Sequence, residues 1–176
     1  MGRDKARLPY LGTSLVVHLA GIVERALAGQ GTVTIIANPG PYRDLPYAVV
    51  EDLTPSCGPL GGVVTALTMT TSEWNLVVAC DMPKLTPESL RIVLDRALES
   101  RAPCVAARGP DGTAEPLCAA YHRTSLGVFK RALRDKRLRM KDVVSEMQPE
   151  LVAIPPDSLT NVNTPEDWMQ LERQPG

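Results

Sequence analysis

An acidic residue at the end of an apolar run is the first feature that could do chemistry. Residues 76–80 read Leu-Val-Val-Ala-Cys, without polar alternation, and Asp81 follows directly. Such a run predicts a strand that is covered on both faces, as in a parallel sheet with helices on each side. Ligands of such sheets gather at the carboxyl ends of the strands, where a carboxylate can hold Mg²⁺. Asp81 is therefore either a metal ligand or a cap of the following turn.

Polar residues also follow three other segments of the same kind. Asn38 follows the apolar residues 33–37, Asp52 comes shortly after residues 48–50, and Asn163 lies beyond residues 151–154. Turn chemistry accounts for each of them taken separately. Together with Asp81, however, they would deliver polar ligands to one edge of a sheet, which predicts a polar cleft of nucleotide size.

A glycine-rich turn, Gly58-Pro-Leu-Gly-Gly62, precedes the apolar residues 63–69. If those residues form a helix, the turn lies at its N-terminus, where free N–H groups and the helix dipole favour anions. Such turns also exist only to let a helix approach a sheet closely. The sequence leaves both interpretations open.

Helical and strand-like segments alternate along the rest of the chain, after a predicted loop at residues 1–12. The predicted helices cover residues 13–28, 63–69, 87–100, 124–134, 140–147 and 164–168, and the predicted strands cover residues 33–37, 48–50, 76–80, 103–107, 116–121 and 151–154. This order predicts an α/β fold of the Rossmann-like type, with three layers and a doubly wound, mostly parallel sheet. A chain of 176 residues fits one domain, which we expect to span residues 1–176.

Composition excludes several classes of function. The formal net charge is −1, so no global field attracts nucleic acid or an anionic membrane. No run approaches the ~20 apolar residues of a membrane span, and the N-terminus has no secretory signal. The GxSxG elbow of hydrolases and the Walker motif of NTPases are both missing. Cys80, Cys104 and Cys118 lie in apolar runs, which predicts buried thiols and a cytoplasmic protein.

Five motifs, in this order, resemble those of the molybdenum cofactor guanylyltransferases. They are Gly2-Arg-Asp-Lys5, Gly58-Pro-Leu-Gly-Gly62, Ala79-Cys-Asp-Met-Pro83, Pro116-Leu-Cys-Ala-Ala-Tyr121 and Asn161-Val-Asn-Thr-Pro-Glu-Asp167. The resemblance spans nearly the whole chain, and the third and fifth motifs together are specific. It implies the Rossmann-like sheet of the nucleotide-diphospho-sugar transferase type, and a magnesium-dependent transfer of GMP from GTP to molybdenum-molybdopterin with release of pyrophosphate.

The resemblance also implies a role for each motif residue. Asp81 would bind Mg²⁺ and GTP, and Lys5 would contact the phosphates as the second catalytic residue. Asn38 and Asp52 would contribute to the GTP site. Asn161 and Asn163 would lie toward the pterin substrate. These roles suit the chemistry, because nucleotidyl transfer between anions requires neutralised charge and in-line positioning, and needs no protein nucleophile.

The N-terminus departs from the family pattern. Members begin with a strand and a glycine-rich loop of the form LAGGxSxRMGxDK, whereas Met1 falls inside that loop. In this fold the missing strand is central, so we expect unpaired edges on its two neighbours. The missing loop would carry N–H groups that accept the triphosphate. We expect that the start was assigned at an internal methionine; a truncated paralogue and a fragment are the alternatives.

Two other functions compete with guanylyl transfer. A cytidylyltransferase acting on the same pterin would share the fold, and only family likeness favours guanine. An inactive relative would bind the cofactor without catalysis and carry it toward a molybdoenzyme, as a cofactor chaperone does. We expect a monomer whose partners are GTP and the molybdopterin cofactor.

Overall fold

Strands and helices alternate along residues 4–173, the part of the chain that this computed structural model describes. The strands are β1 (Pro9–Tyr10), β2 (Thr13–Ser14), β3 (Thr34–Ile36), β4 (Ala48–Val50), β5 (Trp74–Val78), β6 (Cys104–Arg108), β7 (Ala114–His122) and β8 (Glu150–Val152). The six predicted strands are all present, with ends that shift by at most two residues. Gly2 and Arg3 of the first motif lie outside the described residues.

The helices begin and end close to the predicted positions, except that α2 and α6 are longer. They are α1 (Leu15–Leu27), α2 (Pro59–Met69), α3 (Pro87–Glu99), α4 (Leu126–Arg134), α5 (Met140–Glu146) and α6 (Pro165–Arg173). Capping explains the clearest start, because the Thr86 hydroxyl accepts the Ser89 N–H and Pro87 occupies the first turn of α3. Ala28, in the left-handed conformation with φ 48°, ends α1.

The larger sheet has the strand order β5-β7-β6-β8. β6 and β8 are parallel, but β7 runs antiparallel to both β5 and β6. The reason is the tight connection after β6, where the Gly109 N–H donates to the Thr113 carbonyl and Gly112 adopts a φ of 78°. A connection this short can only join antiparallel neighbours. The fold is thus the expected α/β fold, with one strand of the larger sheet reversed relative to the other three.

Helices cover both faces of this sheet, as the three-layer prediction requires. On one face α1 and α3 pack together over a cluster that includes Leu90 and Val93. On the other face α2 and α4 pack together over a cluster that includes Tyr121 and Phe129. Burial of these apolar side chains on both faces supplies most of the driving force for folding.

A second, smaller sheet consists of β3 and β4, which are parallel. Within residues 4–173, β3 pairs only with β4, and β5 pairs only with β7. The free edges of β3 and β5 both line an apolar groove of about 380 Å³, whose other walls come from α1 and α2. The expectation of unpaired edges on two neighbouring strands is therefore confirmed.

Two sequence predictions need correction. The segment before α1 is not a plain loop, because it contains a 3₁₀ turn (Lys5–Arg7) and the β1–β2 hairpin. Cys80 is exposed, since β5 ends at Val78 and the chain leaves the sheet before the cysteine; Cys104 and Cys118 are buried as predicted. No helix among residues 4–173 is long and apolar enough to cross a membrane.

Candidate active site

Asp81 lies just beyond the carboxyl end of β5. The Ala79 N–H donates to the Leu117 carbonyl at 2.9 Å, which extends the pairing of β5 with β7 and directs the chain toward Asp81. The Asp81 Oδ1 atom is buried and has no hydrogen-bond partner among residues 4–173. Burial raises the pKa of this carboxyl above 3.8, while its own backbone N–H and the charge of Lys5 oppose the rise.

The surroundings of Asp81 fit a bound divalent cation. A buried carboxylate oxygen without a donor is costly unless a cation or a proton satisfies it. The described residues contain no cluster of three or more histidine, cysteine, aspartate or glutamate side chains that could enclose a metal ion. Mg²⁺ suits such a site, because it binds through one or two carboxylates together with substrate phosphates and water.

Lys5 reaches this region from the N-terminal turn. Its Nζ donates to the Asn163 backbone carbonyl at 2.6 Å and to the Asn163 Oδ1 at 3.3 Å. The Val162 N–H donates to the Asp81 carbonyl at 2.8 Å. Three segments that are far apart in sequence therefore meet at the end of β5, and the structure brings Lys5, Asp81 and Asn163 together as the sequence predicted.

The loop that carries Asn161 and Asn163 is fixed by the start of α6. One Asp167 carboxylate oxygen accepts the Asn163 and Thr164 N–H groups at 2.9 and 2.8 Å, and the Thr164 hydroxyl accepts the Asp167 N–H at 3.1 Å. These bonds lower the pKa of Asp167. Asn161 is exposed in this loop. The aspartate of the last motif thus acts as a helix cap that also holds the loop of both asparagines.

Asn38 and Asp52 lie at neighbouring strand ends in the smaller sheet, where the Ala37 N–H donates to the Val50 carbonyl. Asn38 is exposed, and its Oδ1 accepts the Gly40 N–H at 3.0 Å. Neither residue has a described bond to Lys5 or Asp81, so these two positions form a separate part of the candidate site.

Asp52 is engaged within its own loop. Its Oδ1 accepts the Thr54 N–H at 2.9 Å and the Thr65 hydroxyl at 2.8 Å, which joins the loop to α2. Gly61 permits this approach, because a Cβ there would lie 2.6 Å from the Thr54 carbonyl oxygen. Of the two interpretations of the glycine-rich turn, the structure supports close packing.

Glu115 is a carboxylate at the same edge that the sequence reasoning missed. Because β7 is antiparallel, its first residues lie where β5 and β6 end, whereas an all-parallel sheet would place them at the opposite edge. Glu115 is half-buried and accepts the Leu117 N–H at 3.4 Å. Burial raises the pKa of Glu115, and the charge of Asp81 adds to the rise. A charged residue beside the apolar run of β7 was its only signal in the sequence.

Two side-chain bridges on the N-terminal turn were also missed. The Tyr42 hydroxyl donates to Asp4, and the Arg7 guanidinium donates to both oxygens of Asp44. Both bridges join residues more than thirty positions apart, so no local sequence pattern predicts them.

Comparison with known proteins decides the family. A profile of the MobA-like NTP transferase domain matches residues 1–150. The chain belongs to the MobA-like NTP transferases. A Mycobacterium bovis relative of this MobA-like protein, named a probable molybdenum cofactor guanylyltransferase, is 36% identical over 172 residues, which cover 93% of this chain and 83% of the relative.

Solved structures support the same fold for this MobA-like protein. The molybdopterin-guanine dinucleotide biosynthesis protein A of Archaeoglobus fulgidus superposes with a TM-score of 0.73 at 20% identity, over 98% of this chain and 90% of the other. A Mycobacterium tuberculosis protein solved in complex with manganese gives a TM-score of 0.68 at 20% identity, over 98% and 94% of the two chains. The resemblance noted in the sequence is therefore confirmed, as is the nucleotidyltransferase fold.

Proposed function

We propose that this MobA-like NTP transferase transfers GMP from GTP to the molybdenum-molybdopterin cofactor. An oxygen of the terminal phosphate of the pterin attacks the α-phosphorus of GTP. A new P–O bond forms, the bond between the α-phosphorus and the bridging oxygen breaks, and pyrophosphate leaves. The products are molybdopterin guanine dinucleotide and pyrophosphate. The observation that carries this proposal is the meeting of Asp81 and Lys5 at the end of β5 in a chain of this family.

Asp81 would hold the divalent cation, for which we propose Mg²⁺. The Asp81 carboxylate would hold this cation, whose charge would neutralise part of the negative charge of the phosphates. The Asp81 Oδ1, which has no partner among residues 4–173, supports this role. Burial raises the pKa of the carboxyl because it disfavours the negative charge, and a bound cation would offset that free-energy cost.

Lys5 would contact the triphosphate. An ammonium group has three N–H donors, and the described bonds to Asn163 use two of them. The remaining donor has no partner among residues 4–173 and is available to an anion in the cleft. A positive charge fixed beside the reacting phosphates stabilises the charge that accumulates in the transition state.

The remaining site residues would select and orient the two substrates. We propose that Asn38 contacts the nucleotide through its exposed side-chain amide, and that Asp52 shapes the same pocket by holding its loop against α2. Asn161 and Asn163 would face the pterin from the loop before α6. We further propose that the protein is a cytoplasmic monomer of one domain that passes its product to a molybdoenzyme or a cofactor chaperone.

The test measures pyrophosphate release from GTP or CTP with molybdenum-molybdopterin and Mg²⁺. We expect release with GTP, and a loss of at least about 10²-fold in Asp81→Ala with the fold intact. The matched control is Asp95→Ala, which removes an exposed carboxylate from α3, where it pairs with Arg91 at 3.2 Å. This control should retain full activity.

Calorimetric binding of GTP with Mg²⁺ against CTP with Mg²⁺ separates the alternatives. Selective binding of GTP would support guanylyl transfer, whereas selective binding of CTP would favour the cytidylyltransferase. Binding of the pterin without binding of either nucleotide would identify a carrier of the cofactor. Unfolding of Asp81→Ala would count against a catalytic role for Asp81.

A further inference from the structure

The Asp4 carboxylate joins two turns that border the candidate active site. Its Oδ1 accepts the Ala6 N–H at 3.1 Å and thereby caps the 3₁₀ turn that carries Lys5. Its Oδ2 accepts the Tyr42 hydroxyl at 2.5 Å. Tyr42 ends a second 3₁₀ turn, Gly40–Tyr42, which begins two residues after Asn38, in the loop that follows β3. One carboxylate therefore links the turn of Lys5 to the turn that follows Asn38.

Packing of the Tyr42 ring holds the hydroxyl of this link in place. The tyrosine is only 9% exposed and forms a small apolar cluster with Ala6 of the first turn and Val16 of α1. Burial and the neighbouring Asp4 carboxylate both raise the pKa of Tyr42. Its hydroxyl thus remains protonated at neutral pH and donates to a charged acceptor, which is the stronger kind of hydrogen bond.

The turn of Lys5 needs such support, because it is short. A 3₁₀ turn of three residues has few internal hydrogen bonds, and only Ala6 of this turn is buried. Arg7 adds an exposed brace through two bonds to Asp44, at 2.9 and 3.0 Å. Water and salt weaken an exposed pair, whereas the bond between Tyr42 and Asp4 is partly buried.

We propose that Tyr42 is a positioning residue for nucleotidyl transfer, which acts through Asp4 to fix the turn that presents the Lys5 ammonium to the phosphates. This inference rests on the proposed role of Lys5. Tyr42 itself touches no reacting atom. Through this link, a nucleotide bound beside Asn38 and a phosphate bound at Lys5 would share one support.

The first test compares two tyrosines that each donate to a carboxylate. Tyr42→Phe keeps the ring in its apolar cluster and removes only the hydroxyl. The matched control is Tyr47→Phe, since the Tyr47 hydroxyl donates to Glu24 on α1 at 3.3 Å and has no described contact with the turn of Lys5. We expect kcat/KM for GTP to fall about 10-fold in Tyr42→Phe and to stay unchanged in Tyr47→Phe.

A double-mutant cycle separates positioning from general destabilisation. If Tyr42 acts through Lys5, Tyr42→Phe should have no further effect on kcat/KM in a Lys5→Ala background. An equal fall in both backgrounds would overturn the inference, as would unchanged kinetics in Tyr42→Phe alone. Unchanged kinetics in Lys5→Ala alone would instead show that the proposed role of Lys5 is wrong. Urea unfolding of each variant checks that these kinetic effects arise in folded protein.

Discussion

The two sheets of this protein differ in how they are held together. In the larger sheet, four of the five residues of β6 and residues 118–121 of β7 are fully buried, whereas β5 and β8 are half-buried. In the smaller sheet, no residue of β3 or β4 is fully buried. Apolar packing therefore dominates around β6 and β7, and it is much thinner around the smaller sheet.

Around the smaller sheet, side-chain hydrogen bonds contribute more to holding the loops in place. Asp52 bonds to Thr65 and fixes the loop after β4, while the bridge from Asp4 to Tyr42 fixes the loop after β3. The candidate site draws on both regions, with Asp81 just beyond the end of β5 in the larger sheet and Lys5 on the hydrogen-bonded N-terminal turn.

Truncation of one apolar side chain in each region should give the largest difference in the free energy of unfolding between the two regions. Phe129 is 0% exposed and stacks edge-on against Tyr121 at 5.2 Å, so Phe129→Ala should cost about 3–5 kcal/mol of unfolding free energy. Ile35 of β3 is only partly buried, and Ile35→Ala should cost about 1 kcal/mol. Urea unfolding measures both. Equal losses would show that the two regions are packed equally well.

Substitution of a glycine in the first turn of two helices gives a smaller contrast, with opposite signs. A Cβ on Gly61 of α2 would meet the Thr54 carbonyl oxygen at 2.6 Å, so Gly61→Ala should destabilise the protein by about 1–3 kcal/mol. A Cβ on Gly127 of α4 would have no heavy atom within 4 Å among the described residues, so Gly127→Ala should stabilise the protein by about 0.5–1 kcal/mol. Thermal unfolding of both variants tests this, and a neutral Gly61→Ala would mean that the loop after β4 is free to move.

The larger sheet was also the easier region to predict from the sequence. Residues 76–80 and 116–121 are continuous apolar runs, which predict strands without reference to the rest of the chain. The residues of β5 are nevertheless only half-buried, so the expected cover on both faces of this strand is incomplete. The antiparallel direction of β7 was not predicted, because the periodicity of a strand carries no information about its direction. The short turn at residues 109–112 held that information, and using it would have placed Glu115 at the edge of the site.

The N-terminal turn could not be predicted on local grounds. Asp4, Lys5 and Arg7 lie in a charged segment that is typical of a loop. Their partners, Tyr42, Asp44 and Asn163, are distant in sequence, and only the folded chain brings them near. Family resemblance singled out Lys5 and its partner Asn163, while Tyr42 and Asp44 had no signal of either kind.

The smallest contrast in stability concerns two carboxylates with opposite pKa shifts. Burial raises the pKa of Asp81, so the folded protein loses stability as pH rises from 3.8 through the folded pKa. Asp81→Asn should therefore be more stable than the wild type at neutral pH, and the difference should shrink as pH falls.

The pKa of Asp44 is lowered by its bonds to Arg7, so its stabilisation is present above 3.8 and is lost as pH falls through the folded pKa. Asp44→Asn should be slightly less stable than the wild type at neutral pH. Urea unfolding at pH 7 and pH 5, with and without Mg²⁺ and GTP, measures these differences. Ligand should stabilise the wild type and Asp44→Asn but not Asp81→Asn, and a less stable Asp81→Asn would mean that this carboxylate serves the fold.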